Sequence, residues 1–496
     1  MSGFFIGIDQ GTSLTTAVLT DDRFRVLGKA SIPHHNFYPQ PGWMEEDPEE
    51  ILENCILAVR KVLEEHPQAD AAKVTAIGLD HQGETCCAWN RKTGKPVSRA
   101  IVWQDRRTSG LADRLEAEHG KEIRKITGVM PDAYYSATKF RWILDNVPEA
   151  AALAESGDLC LGTLNTFIFW HLTGGDCFRT EPSSASCMML MDLKECRWSP
   201  FLLDLLGLQE DWLPEICDCS DWFGETDFLG PKIPIAASLA DSHASIIGVG
   251  CFREGMLKTS YGTGNFMSFH TGKQPVFADR IYPDCIWRKD GEAAYRLRGA
   301  CYSAGAAIDW LRNGIRLIDK PEDSERLARA VPDSGGVVFV PALSGLATPY
   351  WDPYARGLLI GLTGGSTNEH IVRAVLESIA CQVAVCAEAM RDATGRDGIA
   401  MRADGGMVEN SFLMQLQADL LNLPVEIPDE KETAALGAAC AAGITVRALE
   451  GPESMLSRVR IRKTYEPAMP EEKRIEMLSR WKRAVERSRS WAAEEE

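Results

Sequence analysis

Short apolar, β-branched runs alternate with longer stretches of helical period along most of the chain, which is the signature of an α/β fold. Phe4 to Ile8 reads as a strand, followed by a glycine turn and a second strand, Thr15 to Leu19. Glu46 to Glu65 reads as a helix whose apolar face carries Ile51, Ile56, Val59 and Leu63. Val74 to Leu79 and Ile233 to Ala237 read as further strands. Asp241 then precedes a helix of small residues, Ser242 to Gly248. The stretch from Pro131 to Leu206 is mixed.

Past Gly250 the opening pattern returns. Met256 to Thr259 is a strand, Tyr261-Gly-Thr-Gly264 a glycine turn, and Phe266 to Phe269 a strand. Two strand-turn-strand units sharing a Gly-Thr turn, half a chain apart, point to duplicated α/β domains, 1–249 and 250–496. A third glycine-rich turn, Asp404-Gly-Gly406, follows an apparent strand and leads through Asn410 into a helix beginning near Ser411.

Length agrees with two domains, since 496 residues exceed one ordinary core. A formal net charge of -18 disfavours nucleic acid and anionic membranes unless a basic patch is focused somewhere. The one candidate patch, Lys473 to Arg489, carries Leu478, Trp481, Val485 and Ser488 at helical spacing and reads as a docking helix with a solvated basic face. The 15 cysteines are scattered without a C-x-x-C pair, the usage of reduced, buried thiols. The N-terminus is a strand rather than a secretory leader. The apolar stretch Leu159 to Leu172 is interrupted by Gly162, Asn165 and His171, so no bilayer span is expected there. A cytoplasmic enzyme is the expectation.

Each glycine turn offers backbone N–H groups to an anion without a Cβ in the way, and Thr12, Ser13 and Thr263 add hydroxyl donors. Asp9, at a strand end, is of the type that holds a hydrated Mg²⁺, or it caps its own turn. Asp241 lies where α/β folds place reacting groups and could accept the proton of an attacking hydroxyl; the plainer alternative is a helix N-cap. His81 and His243 are candidate site histidines or packed core residues. The chain contains neither a P-loop nor G-x-G-x-x-G, G-x-S-x-G or H-E-x-x-H.

In order along the chain stand Asp9-Gln-Gly-Thr12, Pro41-Gly-Trp43 with Glu45, Ile101-Val-Trp-Gln104 with Arg106-Arg107, and Tyr134-x-Ser136-x-x-Lys139-Phe140-x-Trp142. Then come Tyr261-Gly-Thr-Gly264, Ala304-Gly-Ala306 with Trp310-Leu311-Arg312, and Pro349-Tyr-Trp-Asp-Pro-Tyr-Ala-Arg-Gly357. Gly361-Leu362 leads to His370 and Glu377, followed by Asp404-Gly-Gly406 and Thr433-Ala-x-Leu-Gly-Ala-Ala439. This succession resembles the FGGY carbohydrate kinases, their glycerol kinase branch above all, over nearly the whole chain.

The resemblance implies two actin-like (ribonuclease H-like) ATPase domains with ATP, Mg²⁺ and substrate in the cleft between them. By position, Asp241 looks like the catalytic base. Thr12, Ser13, Leu14 and Thr263 would hold phosphates, and Gly305, Asp309, Gly406 and Asn410 would border the adenosine. Gly83, Glu84, Trp103, Tyr134, Asp241, Ser242 and Phe266 would line the pocket of a small polyol or sugar, and Asp9 would serve the metal. A homodimer is the expected assembly, with no nucleic acid and no membrane as partner. Glycerol kinases carry arginine directly before the glutamate matching Glu84 and glutamine directly after the base. Gly83 and Ser242 replace them, which points to a longer polyol or ketose (tetritol, pentitol or pentulose). Thr16 and Asp309 also depart from the family's arginine and glutamine on the nucleotide side. The loop Leu229 to Pro234 is short and lacks arginine, which gives no support to control by a sugar bisphosphate. A nucleotide-driven switch on the same fold is the rival reading.

Overall fold

In a computed structural model, residues 3–493 are described. The opening strands are β1 (Phe4–Gln10), β2 (Leu14–Thr20) and β3 (Val26–Pro33), followed by helix α1 (Pro48–Glu64) and β4 (Val74–His81). After a long mixed segment come β5 (Gly224–Thr226), β6 (Ile233–Ala240) and α2 (Asp241–Gly248). These strands form one six-stranded sheet in the order β5-β6-β4-β1-β2-β3. β1 to β3 are antiparallel, whereas β1, β4 and β6 run parallel.

The second half repeats this plan. Strands β7 (Met256–Tyr261), β8 (Asn265–Gly272), β9 (Tyr282–Lys289) and β10 (Glu292–Cys301) precede helices α3 (Gly305–Asp309) and α4 (Asn368–Thr394). Then follow β11 (Ala400–Asp404), α5 (Ser411–Leu421), β12 (Val425–Pro428), α6 (Thr433–Thr445), β13 (Ile461–Tyr465) and α7 (Glu471–Ser488). The seven-stranded sheet runs β9-β10-β8-β7-β11-β12-β13. Its β7–β8 hairpin is antiparallel and β7, β11 and β12 are parallel, matching the β1–β2 hairpin beside β4 and β6. The repeat expected from two Gly-Thr turns is therefore a repeat of sheet topology.

Helix α1 starts later than the apolar period suggests, because Asp47 accepts the N–H groups of Glu49 and Glu50 as N-cap and Pro48 takes the first turn. Its buried face is Ile51, Cys55, Ala58, Val59 and Val62; Ile56 and Leu63 lie half-buried at its margins. Small side chains sit at its centre, where α1 lies against β2 and β3. Helix α7 docks as its spacing anticipates, burying Leu478, Trp481, Val485 and Ser488, with the Trp481 indole N–H donating to the Phe339 carbonyl at 3.1 Å. All 15 cysteines are free and buried. Helix α4 is long and apolar enough to cross a membrane, but Val372 to Cys386 are almost continuously buried in the second core, as in a central helix of a globular domain.

Helix α6 belongs to the second half of the chain yet packs on β1, β4 and β6 of the first sheet and on α2. A methyl group added to Gly437 would strike the Ala244 carbonyl, and one added to Gly248 the Thr433 carbonyl. The two helices meet backbone to backbone.

Candidate functional site

Three carboxyl groups gather where parallel strands β1, β4 and β6 end. Asp9 pairs in register with Asp80, and Asp241 follows the last residue of β6. Burial and the neighbouring Asp241 charge push the Asp9 carboxyl up to about 7. Asp80 is fully buried, and burial with the Asp9 and Asp241 charges and an Asp9 hydrogen bond drives it well above the usual carboxylate range. Sequence reasoning missed Asp80; its one signal was an acid inside an otherwise apolar strand.

Asp241 is the first residue of α2 and Ala240 occupies the N-cap position, so the capping alternative does not hold. The Asp241 carboxylate accepts the Ser242 N–H. Burial raises it above the ordinary carboxylate value, while the Ser242 N–H and the charges of Lys258 and Arg296 oppose that rise. Lys258, on β7, stands 3.2 Å from Asp404 at the end of β11, and Asp404 also accepts the Thr433 hydroxyl at 3.2 Å. The second sheet thus brings a cation close to the first sheet's acid.

Near Asp241 stands a group of aromatic and acidic side chains. Burial pushes Glu84 up to about 7, against the pull of Arg298 and a Tyr134 hydrogen bond. The Glu84 carbonyl accepts the Ser136 hydroxyl at 2.7 Å, which holds its backbone. The Trp103 and Tyr134 rings meet edge-on at 5.6 Å, and Tyr134 meets Tyr135 at 5.2 Å. Gly83 has a φ of 69°, and a Cβ there would find only Ala240 Cβ and Cys187 Sγ, both at 3.9 Å. Ser242 is exposed and its hydroxyl accepts from Arg296 at 3.0 Å.

Arg296 and Arg298, two residues apart on β10, project from one face of that strand. Arg296 grips Asp284 through two bonds of 2.7 and 2.9 Å and also donates to Ser268 and to His243 Nε2. Burial and the Arg296 charge hold His243 down at about 4, so it is neutral at pH 7. Burial keeps His81 lower still, at about 3, with Nε2 2.7 Å from the Ser184 hydroxyl. Both histidines act as packed polar partners. The arginines escaped sequence reasoning, although charges alternating with Tyr295 and Leu297 along a strand were their signal.

At the two Gly-Thr turns, Gly11 N–H donates to the Leu14 carbonyl at 3.0 Å and Gly262 N–H to the Gly264 carbonyl at 3.0 Å. His34 and Asn36 hold the Thr12 carbonyl at 3.0 and 3.2 Å, while the Trp103 indole N–H donates to the Thr12 hydroxyl at 2.9 Å. With its oxygen already accepting, that hydroxyl has its proton free to donate. Ser13, Leu14, Gly262 and Thr263 are exposed. Gly305 N–H donates to the Gly262 carbonyl at 2.9 Å, which seats the start of α3 on the second turn. Gly405, at φ 94°, lies against the Tyr261 carbonyl, and the space above Gly406 is open.

Three expected residues are not drawn in by contacts. Asn410 caps α5, accepting the Leu413 N–H at 3.0 Å. Asp309 is 59% exposed and 3.4 Å from Arg312. Phe266 is 63% exposed, though β8–β10 pairing puts it on the same sheet face as Arg298.

A hydrated Mg²⁺ uses one or two carboxylates and otherwise phosphate oxygens and water. Among the described residues no three His, Cys, Asp or Glu side chains are arranged to hold a metal, so phosphates would supply most ligands. Asp9 fits such an ion, because a nearby positive charge would offset the burial and the Asp241 charge that raise its carboxyl.

Residues 4–248 match the N-terminal domain of the FGGY family of carbohydrate kinases, and residues 257–446 its C-terminal domain. The chain belongs to that family. It is 45% identical to a glycerol kinase of Aromatoleum aromaticum, covering 99% of each chain. With glycerol kinase 2 of Thermotoga maritima it shares 42% identity over 98% of this chain and 99% of that one. The crystal structure of Plasmodium falciparum glycerol kinase with ADP superposes with a TM-score of 0.94 at 31% identity, covering 98% of both chains. The protein is an ATP-dependent kinase built as two actin-like units.

Proposed function

We propose that this kinase moves the γ-phosphoryl group of ATP to a hydroxyl of a small polyol or sugar, as a glycerol kinase-like enzyme. One observation supports this reading: the Asp241 charge acts on both Asp9, beside the exposed Ser13 and Leu14 of the first glycine turn, and Glu84, beside Tyr134. Residues 1–249 are assigned the acceptor side and residues 250–496 the nucleotide side.

Asp241 accepts the proton of the attacking hydroxyl. Its raised affinity for a proton favours that transfer, while Lys258 and Arg296 oppose the rise. Glu84, Trp103 and Tyr134 orient the alcohol, with Phe266 as an apolar wall. Thr12, Ser13, Leu14 and Thr263 receive the phosphates. Gly305, Asp309, Gly406 and Asn410 border the nucleoside, where the bare backbone at Gly406 admits a flat ring. Asp9 would hold the Mg²⁺ that accompanies ATP, an ion whose chemistry is neutralisation of phosphate charge. Positioning supplies most of the acceleration, because phosphoryl transfer passes through a loose transition state.

Gly83 and Ser242 favour a second reading, an acceptor longer than glycerol, because a side chain begun at Gly83 would meet Ala240 and Cys187 only at 3.9 Å, and none fills that space here. A coupled assay for ADP over glycerol, tetritols, pentitols and ketopentoses tests both. ADP release indifferent to every alcohol would leave the switch reading standing instead.

A further inference from the structure

Strands β9 and β10 lie at the edge of the second sheet but pack into the first unit. Cys285 and Tyr295 share a core with Ile101, Tyr135, Phe140 and Met188. This insertion carries Arg298 to the acceptor pocket. Among the described residues, its guanidinium makes one hydrogen bond, from Nη2 to the Tyr135 hydroxyl at 3.0 Å. Its Nε lies 3.6 Å from Asp284, a carboxylate already held bidentately by Arg296. Its Nη1 lies 3.8 Å from Glu84 Oε1, which is too far for a hydrogen bond. The Tyr134 ring centre is 6.0 Å away.

A guanidinium with unused donors therefore faces a carboxylate with unused acceptor capacity across a short gap beside the aromatic wall. A hydroxyl oxygen satisfies both at once, accepting from Arg298 and donating to Glu84. A carboxylate or phosphate in that place would meet the Glu84 charge. We propose that Arg298 determines acceptor specificity by holding, together with Glu84, one hydroxyl of a neutral polyol or ketose. The guanidinium absent at Gly83 is delivered instead from the other sheet, so acceptor binding ties the two units together.

This inference rests on the kinase reading above, and the test separates the two. The full chain and its Arg298→Met and Arg298→Lys variants are assayed for ADP over the alcohol panel, with the hydroxy acid analogue of the best acceptor included. Arg298→Met should raise acceptor KM about ten- to hundredfold, the range for a hydrogen bond to a charged group, with ATP KM within about twofold. Arg298→Lys should fall between, and added guanidinium ion should recover part of the loss. The hydroxy acid should bind the unaltered enzyme at least about tenfold more weakly than the neutral acceptor. Unchanged acceptor KM in Arg298→Met, or a preference for the acid, overturns the proposal. If Arg298→Met does not fold, Tyr135→Phe decides, because it frees the one bond fixing the guanidinium. A severalfold rise in acceptor KM at unchanged melting temperature supports the inference, and no rise overturns it. An unaltered enzyme that phosphorylates no alcohol refutes the kinase reading itself and this inference with it.

Discussion

Replacing Asp241 by asparagine keeps the shape of the side chain and removes a charge and a base, and the two losses have opposite signatures. Positioned general bases contribute about 10²–10⁴ in rate, so kcat should fall by that factor, equivalent to about 3–5 kcal/mol in the barrier. Nucleotide affinity should stay within a few-fold, since no phosphate contact is assigned to Asp241. Stability should move the other way. Asp9 rises from 3.8 to about 7, chiefly by burial and second by the Asp241 charge. Each unit is worth about 1.4 kcal/mol, so the whole rise is about 4 kcal/mol and the Asp241 share at most about 2. Because the folded value is raised, the ionised carboxylate costs stability. The cost is absent below the unfolded value near 4 and complete above about 7. Asp241 itself is raised on balance despite Lys258 and Arg296, so neutralising it is favourable as well. Asp241→Asn should therefore melt a few degrees higher than the unaltered chain at pH 8.5, with a smaller gain at pH 5.5. Fluorimetric melting at both pH values, ADP titration and the coupled assay measure all three quantities. Activity within tenfold of the original, or a lower melting temperature at pH 8.5, would refute the reasoning.

Acceptor KM should fall severalfold between pH 6 and 8, as Glu84 ionises through about 7 and becomes an acceptor for the substrate hydroxyl. Glu84→Gln should flatten that profile, which steady-state kinetics at saturating ATP would register. Trp103→Phe removes the 2.9 Å bond to the Thr12 hydroxyl and should raise ATP KM about three- to tenfold, from roughly 1 kcal/mol of lost positioning. Gly405→Ala, at φ 94° against the Tyr261 carbonyl, should cost about 1–3 kcal/mol of stability and weaken ADP binding measured by calorimetry.

Local pattern was enough to locate the paired hairpins, because apolar runs and glycine turns are properties of adjacent residues. The start of α1 shifted because cap chemistry, not apolar period, sets where that helix begins: Asp47 accepts two N–H groups. Glu84, Trp103 and Tyr134 could be listed from motifs; the structure packs the Trp103 and Tyr134 rings edge-on and sets Tyr134 against Glu84. Arg298 could not, since its meeting with Glu84 depends on a hairpin of one sheet entering the core of the other unit. Asp80 was hidden for a different reason. A buried acid is legible only once its strand neighbours Asp9 and Asp241 are known to lie beside it.

The small-residue run Thr433-Ala-Ala-Leu-Gly-Ala-Ala439 entered the sequence reading as a motif without a cause, and the crossing of α6 with α2 supplies one. Gly437 and Gly248 allow backbone to touch backbone there, and Gly7 and Gly78 give α6 the same closeness to β1 and β4. Such a contact has no side chains to compress, so it fixes the separation of the two units at one place. Asp241 opens α2, the helix that makes this contact, and Thr433 opens α6 while bonding Asp404 beside Lys258. Asp241 and Lys258 are thus mounted on either side of this backbone-to-backbone contact.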